Sequence, residues 1–291
     1  MHKEHHGFLY GIIAALSSSG VALFAKLSTS ASVPTLVFSR FALGLPIILW
    51  MLFRAQVTFS VKKIPRQLVR NLASLAALYA YFFAIQVLPL VNAVTLVNTA
   101  PLFIPFVVLI WLKLLVSKRR FLAVFIGFIG VLILLRPGGD FFQLGSMVGL
   151  LGGLLGAISL TTVRQLSKTE STKTILSYYF LIGAVISFFP MVLDWTPISD
   201  PMQWLYLFLS GLCALIFQYT LTKAFTHAPA SKVSTVSYLS VVFSGLLGWW
   251  ILGEVPDYWV LVGVLLIVIG ALFALFDRSV PRPIGKNQSS T

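Results

Sequence analysis

The sequence predicts an all-α integral membrane protein of ten transmembrane helices, arranged as two inverted five-helix repeats. Three observations predict it. The apolar residues come in long uncharged runs, 58% of the 291 residues being apolar and 10% charged, against about 25% charged in a soluble domain. The basic residues alternate, crowding into every second gap between runs. The second half of the chain also echoes the first at an offset of about 140 residues.

Taking the runs in order, helices are predicted over 7–27, 33–53, 67–88, 91–113 and 119–136, then 144–164, 174–193, 203–225, 230–252 and 257–276. Residues 258–276 contain no charge at all, and about 20 such residues cross about 30 Å of hydrocarbon. The first run follows Lys3 without a small-x-small cleavage site, so it reads as an uncleaved helix rather than a signal peptide. The fifth has 15 uncharged residues between Arg120 and Arg136, whose side chains are expected to reach outward to the interfaces. Residues 278–291 form a polar tail expected to be disordered.

The gaps set the orientation. Arg54, Lys62, Lys63, Arg66 and Arg70 follow the second helix, Lys113 and Lys118–Arg120 the fourth, Arg164, Lys168 and Lys173 the sixth, Lys223 and Lys232 the eighth. With Lys3, Arg278, Arg282 and Lys286 at the termini, 18 of the 21 basic residues fall on one side, while Asp140, Asp194, Asp200, Glu254 and Asp257 fall on the other. The positive side is cytoplasmic, which places both termini inside. Such clustering accounts for the net charge of +13 without a nucleic-acid partner. The partners expected are the lipid bilayer and a small-molecule substrate, for a monomer or a homodimer.

The repeat divides the chain into 1–139 and 140–277. At an offset of 140, Pro89 falls on Pro229, Thr95 on Thr235, Phe103 on Phe243, Gly130 on Gly270 and Tyr79 on Tyr219; at 139, Thr35, Phe41 and Gly44 fall on Thr174, Phe180 and Gly183. Five helices per unit is an odd number, so the copies must cross in opposite directions, as in many secondary transporters with a midplane site at the repeat interface.

Phe38-Ser39-Arg40-Phe41 in helix two, Asn98-Thr99-Ala100-Pro101 in helix four and Leu252-Gly253-Glu254-x-Pro256 after helix nine, together with the 5+5 layout, resemble the EamA-type carriers of the drug/metabolite transporter superfamily across essentially the whole chain. The resemblance implies a bacterial inner-membrane carrier, without cofactor, working by alternating access. Lys113-Leu114-Leu115 departs from it, standing where the family has Gly-Glu. Phe-x-Arg-Phe also resembles S-adenosylmethionine uptake carriers, which suggests an amino-acid-like or S-adenosylmethionine-like cargo.

Arg40 is the most informative residue. It lies deep in an apolar helix with no acid at similar depth, where an arginine costs about 2.5–3.5 kcal/mol and marks function. A substrate carboxylate gripped by the guanidinium fork would compensate it; a tether to helix carbonyls or to Glu254 is the alternative. Pro101 and Pro105 remove donors from helix four and predict a kink that frees carbonyls. Asn98, its counterpart Tyr238, Ser237, and then Tyr79, Tyr219, Gln86 and Gln218 complete the candidate substrate site, their polar tips on apolar bodies suiting an organic solute. Trp249 and Trp250 read as interfacial anchors, and Lys26, Arg136 and Lys223 as snorkelling cations.

Other classes fit less well. An intramembrane enzyme needs a nucleophile–base pair, a metal cluster or paired acids; His2, His5, His6 and His227 all lie at or beyond helix ends, and Cys213 stands alone in an apolar run, so neither metal site nor disulfide is expected. A flippase for lipids or lipid-linked sugars shares the layout but needs a lateral opening. A channel needs a filter or charged ring. Without a deep carboxylate, facilitated diffusion or exchange is favoured over carboxylate-based proton coupling.

Overall fold

A computed structural model describes residues 2–54, 63–111, 113–115, 117–135, 144–167, 169–227, 236, 238–276 and 282–283. Ser237, the 139/140 boundary and most of the polar tail lie outside the described residues.

The architecture is a helical bundle. Its elements are α1 (His2–Leu27), α2 (Val33–Ala42), α3 (Leu45–Phe53), α4 (Ile64–Val87), α5 (Leu90–Val97), α6 (Ala100–Trp111), α7 (Lys118–Leu135), α8 (Leu144–Leu166), α9 (Thr172–Leu193), α10 (Pro201–His227), α11 (Leu239–Leu252) and α12 (Tyr258–Phe276). Seven stretches are long and apolar enough to cross a membrane: Gly7–Leu27, Val33–Phe53, Ile64–Val87, Leu90–Trp111, Leu144–Leu166, Thr172–Leu193 and Pro201–Ala224. Phe121–Leu134, Leu239–Leu252 and Tyr258–Gly270 are shorter apolar helices. The outward surface is apolar, Phe53 being 90% and Leu193 88% exposed. This inverts the soluble pattern and suits lipid tails.

Two runs expected to be single helices are interrupted. The second breaks at Leu43–Gly44, between α2 and α3, with Pro46 in the first turn of α3. The fourth breaks at Asn98–Thr99, between α5 and α6, because Pro101 has no N–H to offer the carbonyl four residues back. α2 begins on Ser32 with Pro34 in its first turn. α9 begins on Ser171, whose side chain accepts from Thr174 N at 3.2 Å. The two starts share a hydroxyl pair, Ser32–Thr35 at 3.0 Å and Ser171–Thr174 at 2.9 Å.

Packing joins early helices to late ones. The closest pairings are α1 with α10, α7 with α12, and α4 with α8; α2 and α3 lie on α9, and α5 on α11. Two of these contacts are made at glycine. A Cβ on Gly130 would stand 2.7 Å from Gly263 O and from Ile267 N; one on Gly270 would stand 2.6 Å from Ala123 O and 2.5 Å from Gly127 N. The backbones of α7 and α12 thus touch, as small residues allow in membranes. Likewise Phe41 fills the space over Gly183, and Phe180 that over Gly44.

Polar contacts gather at the two ends. At one end the α1–α2, α4–α5, α9–α10 and α11–α12 links meet: Thr196 donates to Ser30 O at 2.9 Å, Ser32 to Asp194 O at 2.9 Å, and Gln86 to Ala31 O at 3.0 Å. At the other, Lys63 donates to Thr169 O at 3.0 Å. A short antiparallel pairing joins β1 (Leu114–Leu115) to β2 (Arg282–Pro283).

Candidate functional site

Arg40 lies in the last turn of α2, where the helix dipole favours a cation. It is 6% exposed. Its Nε donates to Tyr179 Oη of α9 at 3.1 Å, and its guanidinium carbon stands 5.4 Å from the centre of the Phe217 ring of α10. Among the described residues the ion pairs are Lys26–Glu254 and Lys63–Glu170; neither involves Arg40. Its charge therefore rests on a phenol and a ring face, although a guanidinium has five donors to satisfy.

A second arginine, which the sequence reading counted among loop charges, shares the same tyrosine. Arg70 lies on α4 about 9 Å along the axis from Ile64 and is 3% exposed. Its guanidinium carbon stands 4.3 Å from the Tyr179 ring centre, and Nη1 donates to Asn71 Oδ1 at 2.6 Å. Arg70 Nε and Asn71 Nδ2 are buried without a partner among the described residues. Just below, Gln67 bonds Glu170, which also faces Lys63 at 4.0 Å. The arginine pair thus has this buried carboxylate near one end of the bundle but not at bonding distance.

The helix-four candidates sit at a break. Asn98 ends α5, and its Nδ2 donates to Val94 O at 2.8 Å and to Ser240 Oγ of α11 at 3.3 Å. Pro101 occupies the first turn of α6 and Pro105 its middle. Tyr238 caps the start of α11, is 4% exposed, and has a buried hydroxyl without partner among the described residues. Tyr79 is half-buried, its hydroxyl also buried and unpartnered.

The other candidates lie elsewhere. Tyr219 is 52% exposed and holds Lys223 over its ring, so it turns away from the interior that Tyr79 faces. On α10 it is Phe217, rather than the neighbouring Gln218, that meets Arg40. Gln86 belongs to a cavity of about 450 Å³ at the end of the bundle, lined also by Lys26, Ser28 and Ser32. Ser32 starts α2, so Arg40 lies about 12 Å further along that helix.

Lys26 is not a snorkelling cation. Its ammonium stands 3.1 Å from Glu254 Oε1 and also donates to the Leu88 carbonyl. Glu254 Oε2 accepts from Leu90 N at 2.5 Å. Gly253 puts it there: at φ +69° it ends α11 in the left-handed region, and Glu254 N returns to Gly248 O at 3.0 Å. Glu254 is thus engaged by Lys26, which removes it as the tether considered for Arg40. Trp249 and Trp250 are 58% and 86% exposed, beside Tyr258 and Trp259 at the same end, as an aromatic belt requires.

Comparison with known proteins adds the following. The model of the EamA-like transporter family matches residues 5–136 and again residues 143–276. A pseudopaline exporter of Pseudomonas aeruginosa is 28% identical over 269 residues, 91% of this chain and 94% of its own. A riboflavin transporter of Vibrio cholerae is 26% identical, covering 94% and 95%. An S-adenosylmethionine uptake transporter of Rickettsia bellii is 23% identical, covering 94% of each. A protein crystal structure with 21% identity superposes at a TM-score of 0.66 over 92% of this chain and 96% of that one, a likeness of fold.

Proposed function

Since the chain belongs to the EamA-like transporter family, within the drug/metabolite transporter superfamily, and is therefore a multi-pass membrane transporter of small molecules rather than an enzyme, we propose that it carries a carboxylate-bearing organic metabolite by alternating access. Arg40 carries this reading: a buried guanidinium, held by a phenol and a ring face, with no acid paired to it among the described residues. A substrate carboxylate is the compensating charge, and the fork of donors suits it bidentately. Asn98, Tyr238, Tyr79 and the helix break at Pro101 are the further residues assigned to the substrate path, on the polar groups they carry and on the freed carbonyls. Gln218, Tyr219, Gln86 and Ser237 rest on the repeat and on residue chemistry alone.

The scaffold proposed is ten spans in two inverted halves, 1–139 and 140–277, with both termini cytoplasmic in a bacterial inner membrane and 278–291 as the tail. Two tandem matches of one family model support it. So does the reciprocity of the contacts. Gly130 on Gly263 and Gly270 on Ala123 exchange under an offset of 140, as Phe41 on Gly183 and Phe180 on Gly44 do under 139. Lys113 and Gly253, also 140 apart, both take a positive φ, +51° and +69°.

By their names the relatives handle pseudopaline, riboflavin and S-adenosylmethionine, which supports a small organic cargo. A thermal-shift screen of purified protein against amino acids, nucleosides and S-adenosylmethionine tests the reading, because a ligand bound to the folded state raises its melting temperature by mass action. Carboxylate-bearing members should shift it; a screen in which only uncharged or cationic compounds respond refutes the carboxylate assignment.

A further inference from the structure

We infer that the cargo presents two acidic groups and that Arg70 receives the second. The inference rests on the carrier reading above and adds a residue and a charge to it. Arg40 meets Tyr179 at the hydroxyl and Arg70 meets it on the ring face, so two guanidiniums from α2 and α4 converge on one side chain of α9. Both are buried. Like charges brought this close inside a protein repel, and neither is paired with a carboxylate among the described residues. Arg70 Nε and the adjoining Asn71 Nδ2 are donors with no hydrogen-bond partner among the described residues, the first on a side chain whose planar fork matches a carboxylate or phosphate edge. Glu170 is a buried carboxylate beside Gln67, which lies one helical turn before Arg70. Gln67 bonds its Oε2, its Oε1 faces Lys63 at 4.0 Å, and it makes no ion pair with either arginine among the described residues. A monoanion seated on Arg40 leaves the Arg70 charge and both orphan donors as they are. A dianion answers all of them, with Tyr179 as the spacer between its acidic ends.

The test uses the full chain in lipid nanodiscs and matched probes differing by one carboxylate: glutamate against γ-aminobutyrate, and succinate against butyrate. Melting temperature and equilibrium binding are read for wild type, Arg70→Gln, Arg70→Lys and Arg40→Gln. The expected result is that the diacids bind wild type at least tenfold more tightly than their monoacid partners. Arg70→Gln should remove that advantage while keeping the monoacid response, and Arg70→Lys should restore part of it. Size-exclusion profiles and unliganded melting temperatures identify a variant that fails to fold, in which case Arg70→Lys carries the test. Equal binding of mono- and diacids by wild type, no diacid binding, or a diacid advantage that survives Arg70→Gln overturns the inference and leaves the carrier reading standing. Unchanged acid binding in Arg40→Gln overturns the carrier reading's carboxylate clamp instead.

Discussion

Arg40 and Tyr179 stand 139 positions apart and hydrogen-bond each other, Nε to Oη at 3.1 Å. That separation is also the offset that lays Phe41 on Phe180 and Gly44 on Gly183. Under the proposed repeat the two residues are counterparts, one a cation and one a phenol, meeting where the halves face each other. The asymmetry of charge at an otherwise symmetric place is the ground for proposing it as a binding position.

Arg40→Gln should weaken substrate binding by about ten- to a hundredfold, the loss of one charge-assisted hydrogen-bonded contact. Its melting temperature should stay level or rise, because removing a poorly compensated buried charge relieves desolvation. Arg40→Lys keeps the charge without the fork and should be nearly as impaired. Binding isotherms and melting curves on the same preparations decide; a fall in melting temperature with intact binding makes Arg40 a structural tether to Tyr179.

Glu254→Gln should lower stability by about 1–3 kcal/mol, since it strips Lys26 of its counter-ion and weakens the acceptor of Leu90 N. The pair is only about one-fifth exposed, 19% and 21%, so screening by water is incomplete. Adding Lys26→Met to Glu254→Gln should return part of the loss, because no ammonium is then left unpaired. Denaturant melts of the two single variants and the double one measure the coupling.

Lys113 bears a left-handed backbone, φ +51°, without being glycine. Lys113→Gly should therefore stabilise the fold by about 1 kcal/mol, and Gly253→Ala should cost about 1–2 kcal/mol at the corresponding turn. Opposite signs in the same thermal assay confirm the expectation; equal signs contradict it.

Gly130→Ala should destabilise by about 1–3 kcal/mol, since a methyl at 2.7 Å from backbone of α12 forces the helices apart. Gly156→Ala, whose Cβ would meet nothing closer than 3.5 Å, is the control and should be close to neutral. Melting temperatures of both report the difference.

For topology, single cysteines are placed in a Cys213→Ala background. Lys63→Cys and Arg119→Cys should resist a membrane-impermeant thiol reagent in intact cells and react after permeabilisation. Asp200→Cys should react directly. The reverse pattern would invert the proposed orientation.

The membrane character was legible because hydrocarbon demands long uncharged runs and nothing else in the chain competes with that demand. Arg40 was legible for the same reason, as a charge where charge is costly. Arg70 was not: it follows Lys63 and Arg66 and looks like one more loop cation until α9 folds over it. Tyr179 was equally silent, its position depending on packing between helices far apart in the chain. The break at Asn98–Thr99 was announced by Pro101, whereas that at Leu43–Gly44 has a weaker signal, Gly44 followed by Pro46 inside an otherwise continuous apolar run. The outward turn of Tyr219 was not legible, because polar and apolar residues are spread round α10 with no dominant face to declare which side turns inward. The Lys26–Glu254 pair needed the left-handed turn at Gly253, which sequence hints at and only geometry supplies.

Phe41 on Gly183 and Phe180 on Gly44 are the same contact made twice. A carrier whose halves lean on each other through duplicated contacts has two end states that differ chiefly in which half wears which shape. Most of their interaction energy is then common to both and cancels. Under the proposed repeat, the resting balance falls to places where the halves are unlike, among them Arg40 opposite Tyr179, Gly253 opposite Lys113, and Glu254 opposite Leu114. About 1.4 kcal/mol at any of them tips the ratio of the two states tenfold. A residue that never meets cargo, such as Lys113 at its turn, can thereby decide which side of the membrane the carrier faces while it waits.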